Sequence, residues 1–367
     1  MSSLIVEICA VEEVQPHPNA DRLEMVRVKN WWCISGIGTY HVGDKVVYIP
    51  PDSILTEEVS EKWGITKYCA PLPKMENGER PAGYRVRACR LRGERSFGTI
   101  QYPDDPSWPV GHDVKDYYGI TKFEPPVKSG AGDAAPHVEG FHTYTDIENI
   151  GNFPGIFEDG EEVFIDEKLH GSNCRVAVML HPREDTGEFV PTFMAGSHSL
   201  RRKKTDEKDR PSLYWMPLNN ENVEQLLLDL FFDNDKKPVI LFGEIFGVGV
   251  QDMQYGQKGK SFRVFDIAIN GRYLDCEEKN DFLSKWGVEA VPHLYQGPFS
   301  MEKVNELVDG PTMVCNSEDI HEPFKGREGV VIRPAKEREH PSIGRVILKC
   351  ISVDYHERKN AGKTEDH

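Results

Sequence analysis

The chain lacks most of the marks by which a protein's class is first read. Its eight cysteines stand at positions 9, 33, 69, 89, 174, 276, 315 and 350, and no two form a Cys-x-x-Cys pair. That argues against a zinc ribbon and a dense disulfide framework, and it suits a reducing compartment. No apolar run approaches the roughly 20 residues of a membrane-spanning helix. The start, MSSLIVEICAVEEV, has neither the basic end nor the long apolar stretch of a signal peptide. A cytoplasmic location is expected, with a nuclear one left open and no membrane partner. Positive charge is also short: Lys+Arg 44 against Asp+Glu 60 leaves −16. A general basic coat for nucleic acid is therefore excluded, although a local groove can still be basic. What the chain does have is 367 residues, 38% hydrophobic and 10% aromatic, enough for two ordinary domains or one large one.

The first part reads as short β-runs: Leu4–Val14, Leu23–Gly38, Asp44–Pro50, Tyr84–Gly93 and Phe97–Pro103. Between them lie HPNAD, GTYHVGD and GERS, which are turn chemistry. Five short strands with little helical pattern fit a small closed barrel of the OB type. HPNADRL (His17–Leu23) resembles the entry turn of the tRNA-binding OB domains attached to some synthetases, which supports the barrel and not tRNA as ligand. EPPVKSGAGDAAP is the best boundary in the chain. The expected organisation is an OB-like domain at 1–123, a linker at 124–137 and a second domain at 138–367. The second opens with strands Glu161–Leu169 and Cys174–Leu180. Further strands are expected at Pro238–Gly247, Ser261–Asn270, Gly329–Pro334 and Arg345–Ser352. Helices are expected at Asn219–Asp233, Leu274–Gly287 and Ser300–Gly310. The mixed order predicts an α+β fold with a mainly antiparallel sheet.

The informative stretch is Glu167-Lys168-Leu169-His170-Gly171-Ser172-Asn173. A lysine ends an apolar strand, and a glycine three residues on lets the backbone turn close to a ligand. Such a lysine can act as an amine nucleophile or simply end a strand. Downstream, in order, come LFGEIFG with Glu244, FRVFDI with Phe265, REGVVIR with Glu328 and VILKCIS with Lys349. This ordered set, over roughly the last 200 residues, resembles the covalent nucleotidyltransferase superfamily of polynucleotide ligases and capping enzymes. The KLHG form and the OB-like domain in front resemble the ATP-dependent RNA ligases with an N-terminal OB domain, the Deinococcus and Naegleria type.

The resemblance implies an ATP-grasp-like ligase domain and a set of roles. Lys168 would attack ATP and carry AMP covalently. Glu244 would accept from a ribose hydroxyl and Phe265 would stack on adenine. Glu328 would serve the hydration shell of Mg2+ or Mn2+, and Lys349 would stabilise charge at the α-phosphate. Glu167, His170 and Gly171 would belong to the nucleotide site, with Arg201 gripping phosphates. Two alternatives stay open: Phe265 as core, and Glu328 with Lys349 as a surface pair. One position departs from the superfamily pattern: Ile347 stands where a lysine is common, and Arg345 is a candidate substitute. For RNA, Arg85, Arg87, Arg90 and Arg92 cluster in the OB-like part, against the reading of a solvated hairpin. Trp31, Trp32 and Tyr40 are candidates for base stacking or packing.

The reaction implied joins 3′-hydroxyl and 5′-phosphate RNA ends, at nicks in a duplex, by a monomer. A capping-type guanylyltransferase or DNA ligase is the alternative within enzymes. A non-catalytic OB nucleic-acid-binding protein is the alternative outside them.

Overall fold

The computed structural model describes residues 3–74, 79–123, 132–183 and 185–358. Two compact units form, and they interleave along the chain. The first gathers the described residues within Met1–Pro126, Ile147–Phe157 and Leu348–His367; the second gathers those within Val127–Asp146 and Glu158–Ile347. The expected division at 1–123, 124–137 and 138–367 is corrected accordingly, since two pieces of the third segment pack with the first. Of the expected linker, 124–131 lie outside the described residues.

The first unit is an OB-fold built from short antiparallel ladders. Glu7–Ala10, Lys45–Ile49 and Thr99–Gln101 form one sheet; Glu13–Pro16, Leu23–Val28 and Trp31–Gly36 form another. The expected single run Leu23–Gly38 folds back on itself, because Lys29 takes φ 52° and makes a hairpin turn there. Among the described residues the ladders do not close into one continuous barrel. The core alternates as strand geometry requires, with Val26, Val28, Trp31 and Cys33 inward.

Trp31 explains why Ile147–Phe157 joins this unit. Its ring lies so close to Gly151 that a Cβ there would fall 2.1 Å from Trp31 Cε2, and its Nε1 donates to Asn152 Oδ1 at 3.0 Å. Residues 348–358 are tied in as well. Leu348–Ile351 pairs in parallel with Glu148–Asn149, and helix Val353–Glu357 packs on hairpin strand Ala88–Leu91.

The second unit is α+β and mainly antiparallel, as expected. Its seven-stranded sheet runs Ala134–Ala135, Arg201–Arg202, Phe189–Ser197, Ser172–Pro182, Val239–Gly247, Lys260–Ile269, Arg272–Tyr273. Helix Glu221–Asp233 covers one face. Asn220 caps it by accepting from the Asn222 N–H, and Val223, Leu226, Leu227, Leu230 and Phe231 face Val176, Val178, Leu241 and Ile267. Helix Cys276–Trp286 ends at Gly287 in the left-handed region (φ 62°), as a C-terminal glycine should. A second ladder pairs Glu162–Lys168 with Gly329–Pro334 and with His293–Pro298. No helix among the described residues is long and apolar enough to cross a membrane.

Candidate active site

Strand Glu162–Lys168 (EVFIDEK) is exposed at Glu162, buried from Val163 to Glu167 and half-buried at its last residue, Lys168. Register places Lys168 opposite Gly329, so the preceding Glu328 lies beside the lysine. Lys168 Nζ donates to Glu328 Oε1 at 2.7 Å. Glu328 is 6% exposed, and its other oxygen, Oε2, is buried with no hydrogen-bond partner among the described residues. Glu328 and Lys349 are both buried, so neither is a surface residue as the alternative required. Lys349 is itself buried, in strand Leu348–Ile351 of the first unit.

After Lys168 the chain turns through His170 and Gly171 into strand Ser172–Pro182. Gly171 is required: a Cβ there would meet the Ile245 carbonyl oxygen at 2.2 Å. Its N–H lies by the side chain of Glu244, which sits opposite Asn173 in the ladder, and favours the charged form of that carboxyl. Burial pushes the Glu244 carboxyl up to about 8; Lys168 and the Gly171 N–H oppose the rise, and Glu328 adds to it. Lys168, Glu328, Glu244 and Gly171 are thus one electrostatic group.

Phe265 is not simple core. The ladder between Val239–Gly247 and Lys260–Ile269 matches Phe242 to Asp266 and Gly243 to Val264, so Phe265 is the extra residue of a β-bulge. Its ring is partly exposed, with Tyr144 edge-on at 4.8 Å. The bulge is held from behind: Arg333 donates to the Phe265 carbonyl at 3.0 Å and to Asp166, two residues before Lys168, at 2.7 Å. Burial opposes ionisation of Asp166, but Lys279, His293 and Arg333 hold its carboxyl well below the usual carboxylate range. The sequence reading missed Asp166, Asp266 and Arg333 as a tie between the two strands that carry Lys168 and Phe265.

Other expected residues are placed differently. Glu167 is 1% exposed and accepts from Thr312 Oγ1 at 2.6 Å and the Met313 N–H at 2.7 Å, so its carboxylate anchors a loop. His170 is buried, with Nε2 at 2.7 Å from Asp252 Oδ1 and its N–H donating to the Tyr255 hydroxyl at 2.7 Å. Arg201 keeps a partly exposed guanidinium, donating from Nε to the Pro136 carbonyl, whereas Arg202 is held by Asp133 at 2.6 Å. Arg345 is no substitute for the missing lysine at Ile347. Its guanidinium is committed to Asp266 and Glu337 at 2.6 Å each, and Ile347 is core.

The arginine group in the first unit divides. Arg85 is 2% exposed and paired with Asp52 at 2.5 Å, its guanidinium over the Phe123 ring, so its expected contact with RNA is corrected to a core ion pair. Arg87 donates to the His356 carbonyl, and Arg90 Nε donates to Asp354 at 2.8 Å. Arg92 is exposed at the two-residue turn Arg92-Gly93, where φ is 49° and 95°. Trp31 and Tyr40 are core; Trp32 stays partly exposed beside Arg27.

A lysine ending a strand, a carboxylate beside it with one oxygen unused, and a partly exposed aromatic at a bulge are the features of a ligase-type nucleotidyltransferase domain, in a chain that also carries an OB-fold. The sequence profile of the RNA ligase family matches residues 161–351, and that of an OB-fold domain matches 5–103. The chain belongs to the RNA ligase family. Among solved structures it is similar to Naegleria gruberi RNA ligase at 25% identity. A mutant of that protein without ligand gives a TM-score of 0.73 over 98% of this chain and 99% of that one. A mutant with ATP and Mn gives 0.72 over 99% and 100%, and the protein with PPi gives 0.70 over 98% and 99%. A comparison with curated protein sequences returns no match.

Proposed function

We propose that this ATP-dependent RNA ligase joins 3′-hydroxyl and 5′-phosphate ends through a lysyl–AMP intermediate on Lys168. The observation that carries the reading is the Lys168–Glu328 contact at 2.7 Å with Glu328 Oε2 buried and unused. In the first step the Lys168 amine attacks the α-phosphorus of ATP, a P–N bond forms, and the bond to pyrophosphate breaks. An ammonium has no lone pair for this, so Lys168 must first give up a proton, and Glu328 Oε1 is the acceptor beside it. AMP then passes to the RNA 5′-phosphate, and the 3′-hydroxyl displaces it. Both later steps are chiefly positioning tasks.

The residues present fit a divalent cation of the kind the similar structures carry. Among the described residues no group of three or more His, Cys, Asp or Glu is placed to hold one, so phosphates and water must supply most ligands. Glu328 Oε2 is the buried acceptor suited to one such water. When bound, the cation neutralises phosphate charge. Glu244 is suited to a ribose hydroxyl and the bulged Phe265 to the face of adenine. Lys349 takes its role, charge stabilisation at the α-phosphate, from its place in the motif order alone. Arg201 for phosphates and Arg87, Arg90 and Arg92 for RNA are the remaining assignments, with Arg92 the most accessible.

The substrate reading is a nick in a duplex, sealed by a monomer. Purified protein is given ATP with nicked duplex or with free single-stranded ends. Faster sealing of the nick, through a 3′–5′ linkage, is expected. Preferential sealing of single strands overturns the nick, and a requirement for GTP overturns the ligase reading in favour of capping.

A further inference from the structure

The loop after the Glu244 strand turns back onto the nucleophile turn. It joins Val239–Gly247 to Lys260–Ile269 through 248–259, long for an antiparallel connection. Within it Tyr255 takes φ 54°, a left-handed conformation that is costly for a bulky aromatic residue and tends to persist where a site needs it. Tyr255 is 2% exposed. Its ring lies edge-on to Phe246, and its carbonyl accepts from Cys315 Sγ and Gln257 Nε2. The surroundings thus fix where its hydroxyl points, which is at the His170 N–H, 2.7 Å away. Three residues earlier on the same loop, Asp252 Oδ1 meets His170 Nε2 at 2.7 Å. One loop therefore grips both the backbone and the ring of a residue that only Leu169 separates from Lys168.

We propose that Asp252 and Tyr255 are positioning residues for adenylylation. Acting through His170, they fix the turn Leu169–Gly171 and so aim the Lys168 amine at the α-phosphorus. The inference rests on Lys168 being the nucleophile that ATP labels. Neither residue needs to touch ATP for this. Aim matters in the transition state and little in nucleotide binding, so losing it lowers the maximal rate and leaves the half-saturating ATP concentration nearly unchanged. An error of about 1 Å in such alignment costs on the order of a hundredfold in rate.

Single-turnover adenylylation is measured across ATP concentrations for wild type, Asp252→Ala, Asp252→Asn and Tyr255→Phe. Asparagine keeps an acceptor oxygen of the same reach and drops the charge, so it separates aim from electrostatics. The expected result is a maximal rate about ten- to a hundredfold lower for Asp252→Ala, half-saturating ATP within about twofold, and most of the rate restored in Asp252→Asn. Tyr255→Phe, which removes one hydroxyl, is expected to slow the same step even if Asp252→Ala folds poorly. Wild-type maximal rates in Asp252→Ala and Tyr255→Phe overturn the proposal, as does a loss that appears wholly as weaker ATP binding. In those outcomes the wild type still labels, and the ligase reading stands. Absence of label on the wild type brings down both.

Discussion

At the scale of single residues, burial sets the ionisation of one carboxyl at the site, that of Glu244. Glu244 titrates near 8 in the folded chain against an ordinary 4.5, because its carboxyl is buried. Between those values the unfolded chain carries fewer protons at this position than the folded one. Glu244 therefore subtracts stability progressively as pH rises from 4.5 to 8, and its full cost is present above 8. Glu244→Gln is expected to raise the melting temperature more at pH 8 than at pH 5; an equal gain at both would contradict the burial argument. Phe265→Ala is expected to weaken ATP binding by about 1–3 kcal/mol, the usual worth of one stacked base, with the fold retained. Titration calorimetry on the Lys168→Met background, where turnover is blocked, reads this directly.

The residues that show in sequence are those with a strong local setting: a lysine at the end of an apolar strand, or a carboxylate between Phe242 and Phe246. Asp252, Tyr255, Asp166 and Arg333 did not show. Their roles arise from ties between segments far apart in the chain, such as Arg333 bonding both Asp166 and the Phe265 carbonyl.

At the scale of elements, alternation and caps carried most of the information. The helix Glu221–Asp233 was legible from spacing, within the expected Asn219–Asp233. The Phe265 bulge was not, because a one-residue offset leaves no mark on composition. The arginines at 85 and 87 share a strand direction in sequence, yet only register decides which is buried. Asp52, itself fully buried, meets Arg85 and takes it into the core. Arg85→Met would remove the ion pair from that buried carboxylate. The expected cost is about 3–5 kcal/mol of stability in a denaturant titration. Arg92→Ala, at an exposed turn, is expected to shift stability by less than about 0.5 kcal/mol. A similar loss from both would mean that Arg85 is not a core ion pair.

At the scale of the whole molecule, the OB-fold and ligase-type parts were readable, but the way the chain is shared between them was not. Ile147–Phe157 belongs with the first unit because Gly151 leaves room for the Trp31 ring. Residues 348–358 belong there too, through the parallel pairing of Leu348–Ile351 with Glu148–Asn149 and the bonds that Arg90 and Arg87 donate to Asp354 and the His356 carbonyl. A linear reading assigns neighbours in sequence to the same body, and these contacts join segments 121 to 269 residues apart.

The account stands on Lys168 as a nucleophile, and that is tested most directly by covalent labelling. The protein is incubated with magnesium and ATP or GTP labelled at the α-phosphate, then denatured and separated, with intact mass recorded beside it. The account predicts label from ATP, a mass increase of one AMP, and loss of both in Lys168→Met. Label that persists in Lys168→Met, or a wild-type chain that carries no AMP either as purified or after incubation, would contradict it.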